Sequence, residues 1–347
     1  MGGLFADTPA VGEQLAQVAE VLRGAERISV VAHIKPDADA VGSACGLAAG
    51  LRKLGKDARV YIGQTYPHPG NLRTVPGVDD ITYGSHLPAD GLIVTVDCAS
   101  VDRTGLLREQ IDAERDRVVV IDHHETNPGF GAHNLIADAE STTTIIRELF
   151  THLGVELDSE IAYCLYAGLV TDTGSFRWGT PRMHTLAAEL MEYGLDTRQL
   201  TMDLIDKASP RDLQIMGGVL ADLQNFRQEG LVVSVFTIPA EALARMSQTT
   251  VETIIDYARV LEGSDVGMVL KQNGPKHWAV SLRSTVIDVS KLAQALGGGG
   301  HIPAAGYTAY GSQDMVVRDL IAALPTREER AASQHEPAAQ NFPNANR

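Results

Sequence analysis

The chain alternates short, almost uniformly apolar runs with longer segments whose apolar positions recur at helical spacing. The short runs have the length and β-branched content of strands, and the longer segments have the length of helices. The predicted strands are residues 28–33, 58–62, 92–97 and 118–122, and the predicted helices are 10–24, 39–54, 142–153 and 158–171. Strands without a polar face that alternate with helices predict a parallel sheet covered on both sides. The first part of the chain is therefore expected to be a doubly wound, mostly parallel α/β domain.

The pattern changes in the last third of the chain. Strands are predicted at 231–238, 266–272 and 277–284, and Asn273-Gly274 between the last two is a hairpin signal. Helices follow near 288–297 and 313–324, which predicts a smaller α+β domain. The predicted organisation is a catalytic domain over 1–194, a helical linker over 195–225, a substrate-binding domain over 226–327 and a disordered tail over 328–347.

Composition narrows the functional classes. No apolar run approaches the ~20 residues that span a bilayer, and the N-terminus lacks a signal-peptide pattern. Three cysteines without a metal-binding spacing indicate reduced thiols, so we predict a cytoplasmic protein with no membrane partner. A net charge of −15 argues against binding long nucleic acid, which needs basic residues to neutralise phosphates. Bound divalent cations would let such an acidic protein attract an anionic substrate.

Histidine and aspartate side chains follow several of the predicted strands. Strand 28–33 runs into His33, Asp37 and Asp39, strand 92–97 ends in Asp97, and residues 122–124 follow the fourth strand. Ligands bind outside the carboxyl ends of parallel strands, so these side chains are expected to converge. Crowded carboxylates repel one another unless a cation lies between them, and mixed imidazole and carboxylate ligands suit manganese, iron, zinc or cobalt. The set is large enough for two ions, and Asp97, on the middle strand, is the candidate bridge.

Structural roles compete with some of these assignments. Asp37 and Asp39 are also placed to cap the helix that follows them. Ser43 and Ser141 fit helix capping as well as ligand contact, and Ser141 precedes a predicted helix. Thr180-Pro181 has the residue types that begin a helix, which is expected to end near Gly194.

Four segments together resemble the motifs of the DHH phosphoesterase superfamily: HIKPDADAVGS (33–43), VDCAS (96–100), DHH (122–124) and TDTGSF (171–176). The second domain resembles the DHH-associated domain through SLRS (281–284), DVSKLA (288–293) and GGGGHIPAAG (297–306). Within this superfamily the chain resembles the bacterial nanoRNases that also dephosphorylate adenosine 3′,5′-bisphosphate. The resemblance covers about residues 15–325.

The resemblance implies a role for each matching residue. His33 and Asp37 would hold one metal ion, Asp97 would bridge to a second ion, and His124 would face the scissile phosphate. The other ligands of the second ion would be Asp39, His123 and Asp172. Asp122 would orient the histidines. Arg283 would bind a phosphate or carboxylate, although it is also compatible with a surface strand position. The implied contacts beside it are Gly298, Gly299, Gly300 and His301, with Ser141 from the first domain.

We therefore expect a phosphoesterase with two divalent ions, most suitably manganese, whose active site lies in the cleft between the domains. Hydrolysis would use a hydroxide bound to the metal pair. Its expected substrates are short oligoribonucleotides, dinucleotides such as pApA, and adenosine 3′,5′-bisphosphate, and relatives suggest a homodimer. The alternatives are a cyclic di-AMP phosphodiesterase, an inorganic pyrophosphatase or exopolyphosphatase, and a non-catalytic nucleotide sensor.

Overall fold

The computed structural model describes residues 4–5, 8–206 and 208–333. These residues divide into two compact units, one on each side of the boundary between residues 207 and 208. The boundary falls inside the segment 195–225 that the sequence suggests as a linker. In the described part of the chain, no helix combines the length and apolar character needed to cross a membrane.

The first unit is built on one parallel sheet. Its strands are β1 (Arg27–Ala32), β2 (Asp57–Ile62), β3 (Thr82–Tyr83), β4 (Leu92–Val96), β5 (Val118–Asp122) and β6 (His133–Ile136). They lie in the order β3-β2-β1-β4-β5-β6, and every neighbouring pair is parallel. Its helices are α1 (Pro9–Gly24), α2 (Ala38–Lys53), α3 (Arg108–Ala113), α4 (Thr142–Leu153), α5 (Ser159–Asp172), α6 (Pro181–Met191) and α7 (Thr197–Thr201). A π-helical turn, Met202–Asp206, follows α7. The predicted doubly wound α/β domain is confirmed.

Alternate residues of each strand enter different cores, as the pleat requires. In β1, Val30 packs in a large core with α1, α2, α4 and α5, whereas Val31 packs on the opposite face in a smaller core that includes Ile111 of α3. Both faces of the sheet are therefore buried, which explains why the central strands read as continuous apolar runs.

Helices α2 and α5 pack closely because small residues line their contact. A Cβ atom added at Gly42 would lie 2.3 Å from the carbonyl oxygen of Cys164, and one at Gly46 would lie 3.1 Å from the Cys164 Cβ. Gly50, one turn further along α2, leaves room for the ring of Phe150 in the same way. The spacing of four residues puts these glycines on one face of α2. The close contacts of Gly42 and Gly46 with Cys164 bring the first turn of α2 close to α5.

The second unit contains a mixed sheet. Its strands are β7 (Gln224–Gln228), β8 (Leu231–Ile238), β9 (Val266–Gly274), β10 (His277–Arg283), β11 (Gly299–His301) and β12 (Ala304–Tyr310). They lie in the order β11-β12-β10-β9-β8-β7, with β8 and β9 parallel and the other pairs antiparallel. The helices are α8 (Pro210–Ala221), α9 (Ala240–Arg245), α10 (Gln248–Val260), α11 (Val289–Ala295), α12 (Gln313–Ala322) and α13 (Arg327–Ser333). The predicted α+β domain is confirmed.

The turn of the β9–β10 hairpin lies two residues later than the sequence suggests. Gly274 pairs with His277, so Asn273-Gly274 belongs to the strand and Pro275-Lys276 forms the turn. Lys276 has φ +58°, and a proline followed by a residue with positive φ is the arrangement of a type II turn. The turn at Asn273-Gly274 is therefore a wrong prediction, although the hairpin exists.

The predicted disordered tail begins too early. Residues 328–333 belong to α13, and the remainder of the predicted tail, 334–347, lies outside the described residues. The hydroxyl of Thr326 accepts a hydrogen bond from the Glu329 amide at 3.2 Å, and the Glu329 carboxylate accepts one from the Thr326 amide at 2.7 Å. This reciprocal cap starts the helix despite its polar composition.

Candidate metal centre

Three neighbouring strands of the first unit end beside one another. His33 follows β1, Asp97 follows β4 and His123 follows β5. The strands are in register at this edge, where Ala32 pairs with Val96 and Val96 pairs with Ile121. The backbone thus delivers the histidine and aspartate side chains to one rim of the sheet, as predicted.

Asp97 lies at the centre of this rim. Its Oδ2 atom is 3.5 Å from His33 Nε2, and its Oδ1 atom is 3.6 Å from His123 Nε2. The side chain is only 3 % exposed, and the Thr142 hydroxyl donates a hydrogen bond to Oδ1 at 3.2 Å. Asp97 has φ +56°, a left-handed conformation that aspartate tolerates better than most residues. One oxygen therefore faces each histidine, which is the arrangement that a bridging carboxylate requires.

The first cluster consists of His33, Asp37 and Asp97, whose potential ligand atoms lie within 4.8 Å of one another. His33 Nε2 is 3.4 Å from Asp37 Oδ2, and His33 Nδ1 is 2.9 Å from the Ile34 carbonyl oxygen. Asp37 also caps α2, because its Oδ1 accepts from the Ala40 amide at 3.0 Å. The oxygen that caps the helix is therefore not the one that faces His33.

The second cluster consists of Asp39, His123 and Asp172, again within 4.8 Å of one another. His123 Nε2 is 3.3 Å from Asp172 Oδ2 and 4.0 Å from Asp39 Oδ2. His123 Nδ1 lies 3.1 Å from the Ala139 carbonyl oxygen. In both clusters a carbonyl oxygen next to Nδ1 leaves Nε2 directed at the carboxylates, which is a common way to orient metal-binding histidines.

Asp39 is completely buried and accepts two backbone hydrogen bonds. The amides of Thr142 and Thr143, at the start of α4, donate to its two oxygens at 2.7 and 3.1 Å. The alternative that Asp39 caps its own helix is wrong, because its carboxylate lies at the N-terminus of α4 instead. Each carboxylate oxygen has a second lone pair, so these hydrogen bonds fix the group without preventing it from binding a cation.

Gly168 of α5 makes the space for Asp39. A Cβ atom at this position would lie 2.3 Å from Asp39 Oδ1 and 2.6 Å from Thr143 Cγ2. We expect Gly168→Ala to displace the carboxylate, to weaken Mn(II) binding about 10-fold or more and to destabilise the domain by roughly 1–3 kcal/mol. Isothermal titration with Mn(II) and denaturant unfolding measure the two effects.

The matched control is Gly12→Ala in α1. A Cβ atom at Gly12 would meet no described atom within 4 Å, so alanine is expected to stabilise the helix by about 0.5–1 kcal/mol. Its Mn(II) binding should equal that of the wild type. Unchanged Mn(II) affinity in Gly168→Ala would contradict the assigned role of this glycine.

Asp122 and Asn127 orient His124. Asp122 Oδ1 is 2.8 Å from His124 Nδ1 and also accepts from the His123 amide at 2.9 Å. Asn127 Nδ2 donates to Asp122 Oδ2 at 2.6 Å and to the Cys98 carbonyl oxygen at 3.0 Å. Burial tends to raise the pKa of Asp122, but the bond from His124 and its charge outweigh burial and lower it. An ionised Asp122 can only accept, so His124 Nδ1 carries a proton and Nε2 points away from Asp122.

The chemistry of these donors fits divalent metal ions. Burial, reinforced by the charge of Asp97, raises the pKa of Asp39 to about 7. Burial and the neighbouring Asp39 likewise raise the pKa of Asp172 well above its ordinary value. Such carboxylates repel one another as anions unless a bound cation lies between them. Imidazole nitrogens with carboxylate oxygens, and no thiolate, are a donor set for first-row transition metals.

Comparison with known proteins identifies this arrangement. Residues 27–169 match the DHH family, N-terminal domain, and residues 230–324 match the DHHA1 domain. The bifunctional oligoribonuclease and PAP phosphatase NrnA of Thermus thermophilus is 35 % identical over 88 % of this chain and 91 % of its own length. The chain belongs to the DHH family. NrnA of Bacillus subtilis is 27 % identical over 83 % of this chain and 91 % of its own length.

A solved structure has a similar fold. The exopolyphosphatase-related protein from Bacteroides fragilis aligns with a TM-score of 0.78 and 22 % identity, covering 93 % of this chain and 98 % of that one. At this level of identity the likeness establishes architecture alone.

In the DHHA1 domain, Arg283 and His301 lie in one row across the sheet. Arg283 pairs with Ala304, and Ala304 pairs with His301, so their side chains leave the same face. Arg283 Nη1 donates to the Leu282 carbonyl oxygen at 3.0 Å, while its buried Nε has no hydrogen-bond partner in the described part of the chain. Burial lowers the pKa of Arg283, which Glu252 and Asp256 of α10 partly oppose. The position is compatible with the predicted anion contact.

The glycine run serves strand packing as well. A Cβ atom at Gly298 would lie 2.1 Å from the Gly306 carbonyl oxygen, and one at Gly300 would lie 2.5 Å from Ala305 Cα. A Cβ atom at Gly299 would meet no described atom within 4 Å. Gly298 and Gly300 therefore allow β12 to approach, whereas Gly297 and Gly299 have open space where a Cβ atom would lie.

Ser141 is a correction to the predicted substrate contacts. Its side chain is completely buried and caps α4 by accepting from the Thr144 amide at 3.2 Å, with the hydroxyls of Thr143 and Thr144 beside it. Its hydroxyl oxygen is therefore engaged in contacts within the start of α4 rather than directed at a substrate. Ser43 is also buried, with Oγ 3.5 Å from Asp39 Oδ1. The capping alternative thus holds for Ser141, and Ser43 contacts the carboxylate of Asp39, a candidate ligand.

Three residues that contact the site were not found from sequence. Thr142 reaches Asp97 and Asp39, Asn127 holds Asp122, and Arg103 Nη2 lies 3.1 Å from His33 Nδ1. The run of three threonines after Ser141 was an available signal, because hydroxyl residues at a helix start favour capping and anion contact. Asn127 lies in a loop and Arg103 in the 3₁₀ helix Val101–Leu107, and the spacing of residues in such short segments indicates nothing about their contacts.

Proposed function

We propose that this protein hydrolyses short oligoribonucleotides to mononucleotides and adenosine 3′,5′-bisphosphate to AMP, with two divalent metal ions, most suitably manganese. The supporting observation is Asp97, whose two oxygens face His33 and His123 at 3.5 and 3.6 Å in the middle of two histidine–aspartate clusters. The Thermus relative, called a bifunctional oligoribonuclease and PAP phosphatase, supports the substrate class. The buried, unpaired cysteine thiols support a cytoplasmic location, and a homodimer stays a prediction.

Each site residue has a proposed task. His33 and Asp37 hold one ion, Asp97 bridges, and the second ion is held by Asp39, His123 and Asp172. When bound, such ions polarise a phosphoryl oxygen and lower the pKa of water. Burial tends to lower the pKa of His124, but its bond to Asp122 outweighs burial and raises it. His124 is therefore placed to donate a hydrogen bond or proton to the phosphoester, with Nε2 aimed by the Asp122 carboxylate.

The DHHA1 domain is proposed to bind the end of the substrate. Arg283 offers a planar guanidinium that matches a phosphate in two hydrogen bonds, and Gly299 and His301 lie on the same side of that sheet. A site that binds one end of the substrate favours short oligonucleotides over long ones. A net charge of −15 disfavours the long basic track that a long strand needs.

A substrate panel tests this proposal. Purified protein with Mn(II) should hydrolyse pApA and adenosine 3′,5′-bisphosphate faster than a long single-stranded RNA. Cyclic di-AMP and inorganic pyrophosphate in the same panel test the two alternative activities. Preferred hydrolysis of the long strand or of pyrophosphate would refute the proposed substrate class.

A further inference from the structure

The loop between β1 and α2 contains a residue in an unfavourable backbone conformation. This loop, residues 33–37, begins and ends with the two ligands His33 and Asp37, and Lys35 between them has φ +53°. A side-chain-bearing residue in the left-handed region is uncommon and persists only when its surroundings hold it there. The Lys35 amide donates to Gln64 Oε1 at 2.7 Å, so a side chain from another strand end provides that support.

Gln64 is itself held in one orientation. It follows β2, the neighbour of β1, and its side chain is buried. Its Nε2 donates to the Tyr66 carbonyl oxygen at 2.8 Å, and its backbone amide donates to the Ile62 carbonyl oxygen at 2.8 Å. Rotating the amide would place its NH₂ group against the Lys35 N–H, two donors face to face. Only the observed orientation satisfies both neighbours.

A second contact fixes the other side of the same loop. The Ile34 amide donates to the Arg103 carbonyl oxygen at 2.9 Å. A Cβ atom at Gly63 would lie 2.0 Å from the carbonyl oxygen of Thr104, so the segments that follow β2 and β4 also contact each other. The segments after the adjacent strands β2, β1 and β4 therefore contact one another. The Gln64 side chain connects the segment after β1 to the segment after β2.

We infer that Gln64 is a positioning residue for the first metal cluster, acting through the Lys35 backbone on the separation of His33 and Asp37. The inference rests on the proposed function, because it assumes that these two residues bind a metal ion. His33 and Asp37 lie at the two ends of this loop, with His33 Nε2 3.4 Å from Asp37 Oδ2. His123 and Asp172 lie on other elements. Loss of Gln64 should therefore affect one ion more than the other.

Titration of the full-length chain with Mn(II), by calorimetry and by electron paramagnetic resonance of unbound Mn(II), tests the inference. The wild type should bind two ions. Gln64→Ala should bind one ion with unchanged affinity and the other about 10–100-fold more weakly, the loss expected when a residue that supports metal ligands is removed.

Gln110→Ala is the matched control. Gln110 makes the same kind of contacts, since its Oε1 accepts from the Leu87 amide at 2.9 Å and its Nε2 donates to the Leu87 carbonyl oxygen at 3.2 Å. It lies in α3, in the same domain, and touches none of the clusters. Gln110→Ala should lose some thermal stability and bind both ions as the wild type does.

Lys35→Gly in the Gln64→Ala background separates positioning from general damage. Glycine adopts positive φ without the steric cost, so the double variant should recover much of the lost Mn(II) affinity. Three outcomes would overturn this inference but not the proposed function. They are equally weakened binding of both ions in Gln64→Ala, unchanged binding in Gln64→Ala, and no recovery in the double variant. A wild type that binds no Mn(II) would overturn the proposed function as well.

Discussion

Asp97→Asn is expected to lower kcat for the dinucleotide by on the order of 10³-fold while the domain stays folded. Asparagine has the same size and tolerates the φ of +56° at this position, so the backbone is preserved. The substitution removes the negative charge that both His33 and His123 face. An amide offers one weaker oxygen where the proposed bridge needs two anionic ones. Steady-state kinetics with saturating Mn(II) measures the loss.

The stability of this variant distinguishes a catalytic effect from unfolding. In EDTA, Asp97→Asn should melt no lower than the wild type, because it removes one of several crowded carboxylates. Asp90→Asn is the control: Asp90 is 59 % exposed, pairs with Arg27 at the surface, and should leave kcat unchanged. Activity of Asp97→Asn within a few-fold of the wild type would rule out a bridging role.

The residues of the site that the sequence predicts are those at the ends of strands with a clear apolar pattern. Strand ends are visible because β1, β4 and β5 are short apolar runs, and parallel strands place their carboxyl ends on one edge. The sequence alone therefore predicts that His33, Asp97 and His123 lie close together. Strands β3, β6, β7 and β11 were missed because they are edge strands, short or polar, that need not be apolar on both faces.

The contacts that fix the ligands were not predictable, since they join segments far apart in the chain. Asp39 accepts from Thr142 and Thr143, about a hundred residues later, and Gly168 provides its space. No periodicity in the sequence indicates either the hydrogen bonds to Asp39 or the space at Gly168. The role of Ser141 was not predictable for the same reason. Its residue type fits both a cap and a ligand contact, and only the observed hydrogen bond from the Thr144 amide shows that it caps α4. Local pattern thus identifies the candidate ligands, and tertiary packing determines what positions them.

Binding of Mn(II) is expected to raise the melting temperature of the DHH domain by about 5–10 °C per ion at a concentration 100 times Kd, compared with EDTA. A ligand that binds only the native state at that concentration contributes about 2.7 kcal/mol, and each kcal/mol moves the transition of a domain of this size by about 2–4 °C. The physical source is the crowding of Asp39, Asp97 and Asp172, whose repulsion opposes folding until cations separate the charges. Differential scanning calorimetry in EDTA and in Mn(II) measures the shift.

Two comparisons make this result specific. Mg(II), which prefers oxygen ligands in octahedral geometry, should give a smaller shift because His33 and His123 offer nitrogen. Asp97→Asn should lose most of the shift, since its carboxylate faces both clusters, whereas Asp90→Asn should keep all of it. Coincident transitions in EDTA and Mn(II) would mean that the clusters do not bind the ion. An equal response in Asp97→Asn would mean that Asp97 does not join them, because a carboxylate that bridges two ions must contribute to the affinity of both.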